Sequence, residues 1–136
     1  MAEIWKRWKK ELEIPKKLVL DSLTDDIEGL ILKFSHEEDK GLKISIVFDD
    51  YVLSYRNRDE GEFLKKFKYI GDTYGDSFYS DWSLFEVENS EYIQWFNEES
   101  FNIQANKNIK HFVFITVNDV VEILSVYEPK IEINRR

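Results

Sequence analysis

Chemistry in this chain of 136 residues must come almost entirely from carboxylates. There is no cysteine, which excludes disulfides, thiolate zinc sites and a cysteine nucleophile. The two histidines, His36 in a turn region and His111 at the start of an apolar run, lie far apart and outside any serine-nucleophile motif. Asp49 and Asp50 adjoin, but neighbours on a strand point to opposite faces, so they share a site only if they lie in a turn. The series Asp72-x-x-x-Asp76-x-x-x-x-Asp81 lacks the alternating acids and closing glutamate of a calcium loop. The five glycines are scattered, so no phosphate-cradling loop exists. No cofactor or metal is implied, and an enzyme is the weaker class.

The acids point instead to binding. Between Lys68 and Lys107 there is no basic residue, while the interval carries Asp72, Asp76, Asp81, Glu86, Glu88, Glu91, Glu98 and Glu99. The same interval is rich in aromatics: Tyr69, Tyr74, Phe78, Tyr79, Trp82, Phe85, Tyr92, Trp95, Phe96 and Phe101. Aromatics supply large, stiff contact area at low rotamer cost, which suits cores and interfaces alike. A surface of one sign attracts a partner of the other. The candidate partner-binding residues are Asp72, Asp76, Asp81, Glu91, Glu98 and Glu99. Set against this stands the plain alternative of an aromatic core segment with solvated acids.

A net charge of -8 disfavours nonspecific binding to nucleic acid or anionic membranes and favours a cationic protein partner. No apolar run reaches the roughly 20 residues of a membrane span. The first ten residues lack a signal peptide's apolar core, so a cytoplasmic location is expected.

The elements that must position these residues imply one α+β domain, a mainly antiparallel sheet of about six strands packed by about three helices. Ile4, Trp5, Trp8 and Leu12 recur at three- and four-residue spacing among lysines, which predicts an amphipathic helix over 1–14 ended before Pro15, its tryptophans docked on the domain. Alternating runs between residues 18 and 56 predict a strand meander. Asp59 to about Ile70 reads as a helix capped by Asp59, buried through Phe63, Leu64 and Phe67, and stopped at Gly71. Residues 72–81 read as a loop, 82–87 as a short strand, and a helix follows a cap at Asn89 or Ser90, with Tyr92, Trp95 and Phe96 inward. Glu98 and Glu99 then oppose the negative pole of that helix, a broken local rule that points to function. After an asparagine-rich loop over 101–110, Phe112–Val117 is apolar on both faces and predicts a central strand. Val120–Tyr127 returns beside it, and Ile131 with Ile133 suits an edge strand.

Two segments carry a resemblance. They are Phe85-Glu86-Val87-Glu88-Asn89-Ser90-Glu91-Tyr92-Ile93-Gln94-Trp95-Phe96, and His111-Phe112-Val113-Phe114-Ile115-Thr116-Val117-Asn118-Asp119 running on to Tyr127-Glu128-Pro129. Together they resemble the small, acidic, single-domain α+β immunity proteins encoded beside polymorphic toxins in Gram-positive bacteria. The resemblance implies binding and inactivation of a cognate toxin domain in the cytosol, often a basic nuclease. It transfers no individual binding residue, because such families vary most at their interfaces. Two other classes stay open: an adaptor or regulatory module for a non-toxin protein, and a small enzyme whose carboxylates converge only in space.

Overall fold

The run with no polar face becomes the middle of the structure. The computed structural model describes residues 2–104 and 107–135; Ala105 and Asn106, within the loop expected over 101–110, lie outside them, as do Met1 and Arg136. Strand β7 (Lys110–Ile115) is the third of five antiparallel strands in the order β1-β6-β7-β8-β5, formed by β1 (Ile4–Arg7), β5 (Ser54–Asp59), β6 (Leu84–Glu88) and β8 (Asp119–Ser125). A second antiparallel sheet runs β2-β3-β4-β9, from β2 (Val19–Asp26), β3 (Gly29–Ser35), β4 (Leu42–Phe48) and β9 (Lys130–Arg135).

The five-stranded sheet is covered on both faces. One face meets the second sheet, where Phe114 lies 6.3 Å from Phe34 and Phe112 lies 6.0 Å from Phe48. The other face, which includes His111 and the cross-strand pair Val113–Glu122, is covered by α1 (Leu64–Tyr74), α2 (Ser77–Ser80) and α3 (Glu91–Glu99). This explains why Phe112–Ile115 and Val120–Leu124 are continuously buried rather than alternating. The second sheet has one buried face, and β4 alternates accordingly: Leu42, Ile44, Ile46 and Phe48 are inside.

The α+β class and antiparallel pairing agree with the sequence, but nine strands in two sheets replace about six in one. The expected 18–56 meander holds for β2-β3-β4 and then breaks, since β5 crosses to pair with β8. The last strand, β9, is an edge strand as expected, on the second sheet beside β4.

The N-terminal helix expected over 1–14 is not formed. Residues 4–7 pair with β6 as strand β1, and Lys9 turns the chain at φ 56°. A three-residue spacing puts two side chains on one face of a helix but on opposite faces of an extended chain. Trp5 therefore enters the helix side, against Phe63 and Phe85, and Trp8 enters the sandwich, 5.0 Å from Phe112. Both tryptophans are buried, as expected, one in each layer.

The first helical region also differs. Asp59 caps only a 3-10 turn over Glu60–Glu62, accepting from the Gly61 N–H. The α-helix begins at Leu64 and passes Gly71 to end at Gly75, whose φ of 92° suits glycine. Leu64, expected inside, is exposed; Phe63 and Ile70 are buried, with Phe67 packed beside them. The loop expected over 72–81 is instead the last turn of α1 and the short α2.

Replacing either Trp5 or Trp8 with alanine is expected to lower the unfolding free energy by about 3–5 kcal/mol, measured by urea denaturation. Unchanged stability with loss of vesicle binding would contradict this placement.

Candidate functional site: an acidic helix end on a buried ion network

Glu122 is the one carboxylate of β8's interior, set in the run Val120-Val121-Glu122-Ile123-Leu124 and 2% exposed. A buried charge persists only when paired and hydrogen-bonded. Its partners come from the neighbouring edge strand. Arg56, directly across on β5, donates Nε to Glu122 Oε2, and Arg58 Nη2 donates to the same oxygen at 3.1 Å. On the other side His111 Nε2 lies 3.3 Å from Glu122 Oε1, out of line for a strong hydrogen bond. Burial opposes ionisation of Glu122, but the adjacent His111 and the Arg56 guanidinium outweigh it and hold the pKa down at about 2.

The network continues into α3. His111 Nδ1 is 2.7 Å from Ser90 Oγ, and Ser90 Oγ accepts the Ile93 N–H at 3.0 Å as the helix cap. The Ser90 bonds are both met if its hydroxyl donates to Nδ1, which leaves the imidazole proton on Nε2, facing Glu122 without an in-line hydrogen bond. Serine, histidine and glutamate in line have the residue types of a hydrolytic triad. Here Ser90 is buried and its oxygen already serves the helix N-terminus, so the line holds α3 in place.

Tyr92, the second residue of α3, fills the rest of the space. Its hydroxyl is 2.6 Å from Ser54 Oγ, the Arg56 guanidinium stacks 3.9 Å from its ring centre, and the His111 ring meets it edge-on. Glu3 fixes the same end from the other side. Its buried carboxylate accepts the Glu91 N–H at 2.9 Å, favourable at the positive pole of a helix, and the Lys66 ammonium at 2.6 Å. Burial opposes the Lys66 charge, yet Glu3 and Glu91 push its pKa above the ordinary value. The N-terminal turn of α3 is thus pinned by Glu3, just before β1, and by α1, β5 and β7.

Its other end projects. Trp95, expected in the core, is 49% exposed and rests on Tyr92 at 5.8 Å; the inward stripe of α3 narrows to Tyr92 with Ile93 and Phe96 half-buried. Glu98 and Glu99 are exposed, Glu99 even though it lies two turns along the same stripe as Tyr92. Past them the chain closes the helix with Asn102 N–H donating to Asn97 O at 2.7 Å. That geometry leaves Phe101 left-handed, at φ 52°, with its side chain 89% exposed. A bulky residue there costs on the order of 1–2 kcal/mol in backbone strain. Exposed Ile103 follows.

The six acids expected to bind a partner separate into two kinds. Asp72, on α1 rather than a loop, pairs with Lys68 at 2.9 Å; Asp81 pairs with Lys16 at 3.1 Å; Glu91 pairs with Lys66 at 3.1 Å. Lys68 is only one helical turn from Asp72, whereas Lys16 and Lys66 reach Asp81 and Glu91 from far along the chain. Asp76, Glu98 and Glu99 are exposed with no ion pair among the described residues. No hydrogen bond or ion pair joins the 72–81 acids to Glu98 or Glu99 there.

Sequence reasoning did not find Arg56, Arg58, Ser54 or Glu3, and it treated His111 and Glu122 as ordinary polar positions. The available signal was Glu122 itself, a lone acid in a run buried on both faces, which obliges a cationic partner without saying which. Among the described residues no group of three or more His, Asp or Glu side chains could hold a metal ion, and no helix is long and apolar enough to cross a membrane. Compared with known proteins, the chain matches no family model, no curated protein and no solved structure.

The sign of the acid response follows from Glu122. A carboxyl with a folded pKa of about 2 against an ordinary 4.5 stabilises the fold above the latter, and that stability is lost as pH falls through this window. The loss is expected to be on the order of 3 kcal/mol. Glu122→Gln removes that part of the pH dependence and is less stable at pH 7, because Arg56 and Arg58 lose their counter-charge. Urea unfolding at stepped pH measures both; identical pH profiles for the two proteins would contradict the assignment.

Proposed function

We propose that this chain is a protein-binding protein of the immunity type, which covers a basic partner domain with the C-terminal end of α3. One observation carries the reading. Trp95, Phe101 and Ile103 are exposed together with Glu98 and Glu99, two carboxylates without a counter-ion among the described residues, at the free end of a helix whose other end is fixed.

Phe101 and Ile103 in water add little to the fold, Trp95 keeps only its contact with Tyr92, and Phe101 adds backbone strain. Burial against a partner turns each into contact area, and tryptophan is the residue type most often found to dominate binding energy. The unpaired acids supply the sign. They repel one another and oppose the helix dipole until a cationic surface arrives, and with the net charge of -8 they accelerate its approach. Asp72, Asp81 and Glu91, already neutralised by lysines, contribute less, and Asp76 adds long-range attraction.

The resemblance of residues 85–96 and 111–129 to immunity proteins makes a toxin domain, commonly a basic nuclease, the expected partner. The pinned helix fits that role. An inhibitor that is preorganised loses little entropy on binding and can hold its target tightly.

The test uses the partner that co-purifies with the chain from its native host. Trp95→Ala is expected to weaken affinity by roughly thirtyfold, the effect of about 2 kcal/mol at a hot spot. Glu98→Gln with Glu99→Gln is expected to slow association, most at low salt, without changing the melting temperature. Affinity indifferent to all three changes and to salt would place the interface elsewhere.

A further inference from the structure

Two other large apolar side chains stand in water on adjoining loops at the start of β5. Ile27, at the β2–β3 turn, is fully exposed, and Tyr51, between β4 and β5, is 72% exposed. They wall a cleft of about 470 Å3. Its shape is fixed from both sides. Gly29, at φ 111°, passes so close to the end of β4 that an added Cβ would lie 2.2 Å from the Phe48 carbonyl oxygen. The Tyr127 hydroxyl clamps the opposite loop, accepting from the Asp50 N–H at 2.9 Å and donating to the Asp50 carbonyl.

We infer that this cleft receives an arginine side chain of the partner protein. Asp25, Asp26 and Asp50 line it without an ion pair among the described residues, so the cleft is complementary to a cation; Asp49 alone is matched, by Lys130. No three-acid group there could hold a metal ion. Two aromatic rings, Tyr51 and Tyr55, line it beside aliphatic Leu30, Val52 and Leu53, and the Tyr55 hydroxyl donates to Asp25 at 3.2 Å. A planar cation that stacks on a ring and forks onto a carboxylate fits such a wall better than a compact ammonium does. Through Ser54, which lines it and lies 2.6 Å from the buried Tyr92 hydroxyl, the cleft is tied to the pinned first turn of α3. The identity of that partner as basic rests on the function proposed above; the site itself does not.

The experiment needs no partner. 15N-labelled chain is titrated with N-acetylarginine amide and, separately, with N-acetyllysine amide of equal charge. Saturable shifts are expected at residues 25–29 and 49–55, with the arginine compound tighter by at least about threefold. Tyr51→Ala and Asp50→Asn, both at exposed positions whose spectra report folding directly, are expected to weaken these shifts, and Trp95→Ala to leave them unchanged. Absence of saturation at these residues, or an equal response to lysine, overturns the proposal. Neither outcome touches the α3 interface, which stands or falls on the effect of Trp95→Ala on partner affinity.

Discussion

The ionised Glu122 in the middle of a doubly covered sheet is the constraint on which the rest of the structure depends. Burial on both faces gives β7 and β8 their stability, and it removes the water that would otherwise solvate a carboxylate. The charge must then be met from within the protein. Two arginines on the edge strand meet it from one side, and His111 from the other. Each of these partners also touches α3 or the residue before α1: Arg56 stacks on Tyr92, His111 meets Ser90, and Arg58 lies 5.0 Å from the Phe63 ring. One buried charge thereby fixes where the helical layer sits on the sheet.

The consequence for function is directional. Buried polar groups concentrate on the first turn of α3: the Ser90 cap, the Glu3 carboxylate and the Tyr92 hydroxyl contact. From Trp95 onward the helix has apolar side chains in water and acids at the pole that disfavours them. A helix held rigidly at one end and left unsatisfied at the other offers contact area without the entropy loss of ordering a loop. The acids spread along the sequence become, in three dimensions, a set paired with lysines (Asp72, Asp81 and Glu91) and a set without an ion pair among the described residues, Glu98 and Glu99 at the tip of α3 and Asp76 just past α1.

Much of the fold was legible where one element decides the pattern alone. Phe112–Ile115 shows no alternation because both its faces are buried, and Ser90 followed by an acid and an apolar run marks a helix start by local chemistry. What escaped depends on distant partners. Trp5 and Trp8 satisfy a helical stripe and an extended chain equally, and only the free edge of β6 selects the strand. Alternation in β4 and β5 reads the same whichever sheet receives them. For the site, Glu98 and Glu99 were legible because an acid at a helix C-terminus breaks a local rule. The neutralisation of Asp81 by Lys16 and of Glu91 by Lys66 was not, since those lysines are remote in sequence and nothing local marks them.

The central claim is that the projecting half of α3, and not its pinned half or the outer face of the second sheet, meets the partner. Amide hydrogen exchange of the chain, alone and in complex with the protein that co-purifies from the native host, tests it directly. The account expects new protection over residues 95–104, with Ser90–Ile93 already protected in the free chain and little changed. Protection confined to β9 and β2, or strong exchange at Ser90–Ile93 in the free chain that disappears on binding, would contradict it.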